Sequence, residues 1–464
     1  MLRIFNQYLS TRTIILVVSE NLLILGTIQL VSMLKLSEAD YIVLRDQGVF
    51  LRAVLITLIC QLCFYFQDLY DFKIVKNTRE LVVRLLRALG FCAILVAALY
   101  LFFPGAFLGE GVFLLTIFLL LGFFLTWRIG VFWLGQKRGL RHRTLVLGTG
   151  EVAKKLVAEI LDRPDVGMRI VGFVSEDPKM VGESLVNPSV IGHIWDLAEI
   201  VKRERVERIV VAMHEGRGKM PVVDLLNLKM RGISIEEATT LYEKITGKIA
   251  VENLRPSWLI FSEGFKKPKL SHFYKRLFGI ILSIIGLIFF FPVMIILAIL
   301  VKLDSKGPVL FRQDRVGENG RIFQLLKFRS MFEDAETNTG PIWAKENDTR
   351  ITRVGRFIRK VRLDELPQFI NVLRGDMSFV GPRPERRHFV QQLSEKIPFY
   401  NLRHTVKPGI TGWAQINCQY GGSIDGTLEK LQYDLYYIKH LSIPLDFMVI
   451  FQTIKIVLQG RGAY

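Results

Sequence analysis

Hydrophobic and polar positions divide the chain into three regimes. Four apolar runs fill its first 134 residues, roughly Thr13–Leu34, Val49–Phe66, Leu86–Phe103 and Val112–Leu134. Each is near the length a helix needs to cross about 30 Å of hydrocarbon, so four transmembrane helices are expected. The first run lacks the short apolar core and small-residue cleavage site of a signal peptide and reads as a retained helix. From Arg143 the pattern changes to short β-rich runs alternating with helical stretches: "RTLVLGTG", "RIVGFVSE", "ERIVVAM", "ISIEEA". That alternation predicts an open parallel α/β sheet. A fifth apolar run, Leu277–Leu300, opens the third regime, which continues as a basic, turn-rich globular segment to the C-terminus.

The expected fold is therefore a membrane protein of mixed α and α/β class. A four-helix transmembrane bundle covers residues 1–138, a Rossmann-like parallel α/β domain 143–248 and a polar linker with "RPSW" and "KKPK" 249–270. A mainly helical domain follows over 271–464, entered by a membrane helix at 275–302.

Loop charges set the orientation. The second loop, "DLYDFKIVKNTRELVVRLLR", and "QKRGLRHR" after the fourth helix are rich in Lys and Arg, whereas "FPGAFLGEG" has neither. Both basic loops and the N-terminus are accordingly expected in the cytoplasm. The fifth run is long enough to span, but a span would separate the α/β domain from everything after it. Pro292 removes a backbone hydrogen bond two-thirds of the way along, and both ends are basic, with Lys275 and Arg276 before and Lys302 after. A helix that enters and returns suits those charges better than one that crosses, and a kinked spanning helix remains the alternative. Glu20 in the first helix reads either as functional or as a position facing neighbouring helices.

Composition supports the membrane reading. Half the residues are hydrophobic, yet 61 Lys+Arg stand against 43 Asp+Glu, as in a membrane protein with a basic cytoplasmic face. Four scattered cysteines, Cys60, Cys63, Cys92 and Cys418, indicate neither a disulfide framework nor a zinc site. No redox pair is expected from Cys60 and Cys63, which lie in the helical run "LICQLCFYF".

Two constellations carry candidate chemistry. The glycine turn "GTGEVA", Gly148–Ala153, follows a strand and opens a helix, as a dinucleotide or phosphate site requires, and Glu176 and Asp177 end the second strand near where a ribose-binding carboxylate belongs. A domain that kept this fold for regulation or assembly alone reads equally well, and the chain has no Tyr-x-x-x-Lys to support a short-chain dehydrogenase or epimerase. The second constellation is "SKGPVLFRQDRVGENGRIFQLLKFRSM", then "RFIRKVRLDELPQFINVLRGDMSFVGPRPE", then "KPGITGWAQIN". Its cations, Arg312, Arg315, Lys327, Arg329, Arg359, Arg362, Arg383 and Lys407, alternate with glycine turns. Guanidinium forks with exposed backbone amides suit a polyanionic substrate better than a solvated basic face or a headgroup patch does. Nucleic acid is not an expected partner, since no aromatic stacking platform or groove-reading helix is present.

Within it, "DELPQFINVL" has the period of a short helix in which Asp364 is the N-cap and Pro367 falls in the first turn. The helix dipole and nearby Arg359 and Arg362 would keep that aspartate ionised. An ionised aspartate can attack phosphorus while an adjacent glutamate holds magnesium. A plain capping role is the commoner use of such a pair.

The ordered motifs "GPVLFRQ", "KFRSM", "LDELPQFINVLRGDMSFVGPRPE" and "PGITGWAQIN", preceded by an apolar segment with a central proline, closely resemble the bacterial polyprenyl-phosphate sugar-phosphate transferases, the monotopic phosphoglycosyl transferases, over about residues 270–464. The four helices and α/β domain resemble those of the large members that start exopolysaccharide, capsule or O-antigen assembly. The resemblance implies an inner-membrane enzyme with its α/β and catalytic domains in the cytoplasm, joining a UDP-sugar and undecaprenyl phosphate and releasing UMP through a covalent phosphosugar intermediate. It implies Asp364 as nucleophile and Glu365 as its Mg2+-associated partner. It implies further that Arg359 and Arg383 bind the phosphates, that Lys327 and Arg329 border the site, and that Pro292 breaks a re-entrant helix. Phe291 stands where the family often has serine. The helices and α/β domain also offer surface for a homodimer. Two rival readings are an NAD-dependent sugar-nucleotide epimerase or dehydratase tethered to the membrane and a non-enzymatic scaffold of polysaccharide export.

Overall fold

The computed structural model of the chain describes residues 2–4, 7–9, 11–37, 48–71, 77–108, 111–136, 141–163, 166–213, 220–253, 262, 264–265, 269–333, 335, 348–418 and 423–460. The expected linker 249–270 and the centres of both basic loops lie largely outside them. By compactness the chain divides between Leu241 and Tyr242.

The first unit begins with α1 (Thr11–Lys35), α2 (Val49–Phe66), α3 (Thr78–Phe102) and α4 (Val112–Gln136). All four are long and apolar enough to cross a membrane. Helices α1 and α4, α2 and α3, α1 and α2, and α3 and α4 pack in pairs. Ile24, Ile28, Phe64, Leu85 and Phe124 fill the interior, while Leu22, Leu51, Ile94, Leu101 and Phe118 point outward. Apolar side chains on both sides are what a lipid solvent allows. Glu20 faces its neighbours: Arg128 Nη2 lies 2.8 Å from its carboxylate and Tyr70 donates to it at 2.6 Å. Cys60 and Cys92 touch across α2 and α3 as free buried thiols.

After α4 comes a five-stranded sheet of β1 (His142–Leu147), β2 (Met168–Ser175), β3 (Val190–His193), β4 (Arg208–Val211) and β5 (Ser234–Glu237). The order is β3-β2-β1-β4-β5, and every pair is parallel. Leu145, Val146 and Leu147 are all buried, as strands covered on both faces must be. Gly148 turns at φ 110°, a conformation side chains rarely adopt, close against the backbone of Ala212. Asp177 accepts from Lys179 N at 3.0 Å and so caps its own turn. The division falls within α8 (Ala238–Thr246), the helix that follows β5. The reason is Glu243, whose carboxylate meets His440 at 2.6 Å and Lys439 at 2.8 Å, tying that end of the helix to the following unit.

In the second unit the fifth apolar helix, α9, runs Lys269–Asp304 and continues through Pro292. Leu297 and Val301 pack on Phe328, Ile358, Leu366 and Phe369, while Ile285, Ile288, Phe289, Phe291 and Ile296 are exposed. Lys275 pairs with Asp446 at 2.9 Å, and Arg276 donates to the carbonyls of Val372 and Leu373. At the other end Asp304 accepts from Val354 N at 2.9 Å. Besides its helices the unit holds an antiparallel hairpin, β6 (Leu310–Val316) with β7 (Ile322–Phe328), and a parallel pair, β8 (Ser378–Val380) with β9 (Gly409–Thr411).

Candidate active site

Helix α10 (Arg353–Lys360) starts at Thr352, whose hydroxyl accepts from Gly355 N at 2.9 Å, and buries Ile358. Beyond it Arg362 takes a left-handed backbone, φ 59°, and turns the chain into a single 3-10 turn, Leu363–Glu365. Helix α11 (Gln368–Arg374) begins only after Pro367, which holds its N-cap position. The expected start, with Asp364 as N-cap and Pro367 inside the first turn, is thus corrected. Because Arg362 makes the reversal, both acids lie in a separate turn and are drawn inward, Asp364 to 6% and Glu365 to 8% exposure.

Asn371 of α11 sets what they face. Its Oδ1 accepts from Leu326 N at 3.0 Å and its Nδ2 donates to Gln324 O at 2.7 Å, so the side chain pairs with β7 as a neighbouring strand would. The next residue of that strand is Lys327. Its ammonium lies 3.0 Å from Glu365 Oε1 and 3.7 Å from Asp364 Oδ2. Arg383 reaches Glu365 Oε1 at 2.7 Å, and Arg362 reaches it at 3.6 Å. Glu365 is therefore the common anion of three cations, and Asp364 is held mainly by one.

The two carboxyls consequently titrate in opposite directions. Burial is the largest influence on Asp364; Lys327, Arg383 and Arg359 oppose it, Glu365 adds to it, and the net effect raises Asp364 above the usual aspartate range. Arg383, Lys327 and Arg362 together overcome the burial of Glu365 and hold it well below the usual glutamate range. The expected stabilisation of Asp364 by the helix start and Arg362 is replaced by this arrangement, since the helix starts later and Arg362 acts on Glu365.

Four sequence-predicted residues thus converge: Asp364, Glu365, Lys327 and Arg383. Arg359 makes no ion pair among the described residues and acts on Asp364 through its charge. Arg329 goes elsewhere. Its guanidinium donates to the carbonyls of Ser305 and Lys306, each at 2.7 Å, and of Val301 at 3.3 Å, closing the C-terminal end of α9. Arg329→Met should therefore lower stability by about 1–3 kcal/mol through unsatisfied buried carbonyls. Thermal unfolding of the variant checks that loss. Asn371 was missed, although a polar residue at an inward position of an apolar helical run is the signal that finds it.

The glycine turns give the backbone control expected of them. Gly381, Gly409 and Gly412 stand backbone to backbone, with no room for a Cβ on any of them. Their contact brings the "GPRPE" loop, and with it Arg383, against β9.

Known proteins are similar to this chain in sequence. The sequence profile described as bacterial sugar transferase matches residues 270–460. An undecaprenyl-phosphate glucose phosphotransferase of Komagataeibacter xylinus is 34% identical over 334 residues, 70% of this chain and 61% of that protein. A UDP-glucose:undecaprenyl-phosphate glucose-1-phosphate transferase of Escherichia coli is 35% identical over 344 residues, covering 73% of this chain and 72% of the relative. The chain belongs to the bacterial sugar transferase family. Among family members, a UDP-N-acetylgalactosamine-undecaprenyl-phosphate N-acetylgalactosaminephosphotransferase of Aeromonas hydrophila is 45% identical over 232 residues. That match spans 54% of the Aeromonas protein and half of this bacterial sugar transferase, so the chain covers only half to three-fifths of the Aeromonas and Komagataeibacter relatives. A profile described as CoA-binding domain matches residues 65–220, starting in the apolar helices and ending before β5.

Proposed function

We propose that the protein transfers a sugar 1-phosphate from a UDP-sugar to undecaprenyl phosphate, releasing UMP, through a covalent phosphosugar on Asp364. The observation that carries this reading is the pair of adjacent buried carboxylates with divergent environments, surrounded by Lys327, Arg359, Arg362 and Arg383. Four cations around two carboxylates leave positive charge for a diphosphate to neutralise. The names of the Escherichia and Komagataeibacter relatives support the acceptor.

An Asp364 oxygen attacks the sugar-linked phosphorus, the bond to the bridging oxygen breaks, and UMP leaves with that oxygen. An oxygen of the lipid phosphate then attacks the same phosphorus, returning the carboxylate and forming the lipid diphosphate sugar. Splitting the transfer lets one site serve two substrates in turn. Desolvation makes Asp364 a stronger nucleophile once ionised, while Lys327, Arg359 and Arg383 orient the phosphates.

Among the described residues no cluster of three or more acidic, His or Cys side chains forms a metal cage. Magnesium fits the donor set in its usual manner, through one or two carboxylates and substrate phosphates. Glu365 Oε2, which accepts from Arg383 at 3.5 Å, is the oxygen that would hold it. The ion would neutralise charge developing on the departing UMP.

The attachments of α9 support re-entry. Arg276 near one end and Asp304 at the other bind the same globular unit, which suits a helix entering and leaving on one membrane face. With the basic loops, this favours the cytoplasmic face of the inner membrane, and a first membrane step in exopolysaccharide, capsule or O-antigen synthesis.

Purified protein given a panel of UDP-sugars, Mg2+ and undecaprenyl phosphate should release UMP with at least one sugar; no UMP from any of them would refute the reading. Because Asp364 is raised in the unliganded protein, the acid limb of kcat/KM for UMP release should lie above about 3.9, the value of a free aspartate. A limb at or below that value contradicts the assignment of nucleophile.

A further inference from the structure

The loop carrying Arg383 is held in an unusual way. Pro382 and Pro384 have no N–H, so "GPRPE" cannot join a ladder on its own. Instead its four successive carbonyls accept from four separate donors. Gly409 N donates to Pro382 O at 2.9 Å, Arg403 Nη2 to Arg383 O at 2.9 Å, Arg315 Nη1 to Pro384 O at 2.9 Å, and Val316 N to Glu385 O at 2.9 Å.

Arg403 is the costliest of these anchors. It sits in the 3-10 helix Tyr400–Thr405 with its side chain 7% exposed. Nε and Nη2 meet Asp434 Oδ2 at 3.1 and 2.9 Å, and Nη1 donates to the Tyr400 hydroxyl at 2.7 Å. Asp434, on the helix Ile424–Lys439, is itself buried. A buried ion pair of this kind seldom adds to stability over an apolar replacement, so its presence invites another explanation. Among the described residues the guanidinium's other hydrogen bond goes to the carbonyl of Arg383, the cation closest to Glu365.

We infer that Arg403, neutralised by Asp434, is a positioning residue for the transfer: it locks the backbone at Arg383 so that the Arg383 guanidinium keeps its aim at Glu365 and the substrate phosphates. The inference rests on the function proposed above. It adds a structural claim, that the loop 381–386 is ordered by Arg403, and a kinetic one, that Arg403 acts through Arg383.

Arg403→Met alone strands the Asp434 charge, so the test pairs it with Arg403→Met/Asp434→Asn, which removes both charges together. In full-length protein in lipid nanodiscs, hydrogen exchange of a peptide covering 381–386 should quicken in the double variant. Peptides of the sheet 142–211 should be unchanged. UMP release should fall about 10–100-fold, the scale of an ångström-size misplacement. With Arg383→Met already present, the same double change should cost less than ~3-fold, because the residue it positions is gone. Unchanged exchange at 381–386, or equal losses in both backgrounds, overturns the inference. If the parent protein transfers no sugar phosphate, the functional proposal fails, and the exchange measurement still decides whether Arg403 orders the loop.

Discussion

Asp364→Asn is expected to abolish sugar-phosphate transfer without destabilising the fold. The amide occupies the same space but lacks the anionic oxygen that bonds to phosphorus in the proposed mechanism, so that route closes. The loss should be about 10³-fold or more, equivalent to at least ~4 kcal/mol of transition-state stabilisation. Stability should move the other way. Asp364 is raised because burial outweighs its cations, so at neutral pH its ionisation opposes folding, and a neutral residue removes that opposition. Loss of activity with an unchanged or higher melting temperature is the signature of a nucleophile kept in an unfavourable environment. Full activity would remove Asp364 from the mechanism, and a lowered melting temperature would contradict the unfavourable environment assigned to it.

That signature was only half legible in the sequence. The dyad and its cations could be found because "KFRSM", "RLDELPQ" and "GPRPE" carry them in contiguous runs. Their environment could not. The left-handed turn at Arg362 is a conformation that an arginine does not advertise, and without it the acids look like a solvated helix start. Arg329 shows the same limit. Two residues from Lys327 and of like charge, it points to carbonyls 23 to 28 positions earlier because α9 ends there.

At larger scale the pattern carried further. Apolar length located the five helices among the described residues that are long and apolar enough to cross a membrane, and alternation of strand and helix located the parallel sheet. Glu243 takes its partner His440 from 197 residues away, which no local pattern announces. Glu20 was ambiguous until Arg128 and Tyr70 were beside it, since its partners come from helices whose mutual arrangement no local period encodes.

Glu365→Gln tests the other acid and should give the opposite stability result from its neighbour. Its carboxylate is the shared partner of Lys327, Arg383 and Arg362, and their charges hold it well below the usual range. A depressed value means that the ionised form contributes stability above the unfolded-state value of about 4.3, lost as pH falls through the folded value. Neutralisation at pH 7 should therefore cost about 1.5–3 kcal/mol, the worth of a hydrogen bond to a charged group. Transfer should fall by about 10²-fold, because the cations that orient the diphosphate in the proposed mechanism lose their common anchor. The acid limb should move to lower pH, since Glu365 is one of the influences that raise Asp364 and its removal also frees Lys327 and Arg383 to act on that carboxyl. With the sugar-linked phosphate radiolabelled, Glu365→Gln should still yield a slow covalent adduct on the Asp364 peptide, whereas Asp364→Asn yields none. An adduct absent from Glu365→Gln but present in Asp364→Asn would exchange the roles of the two acids.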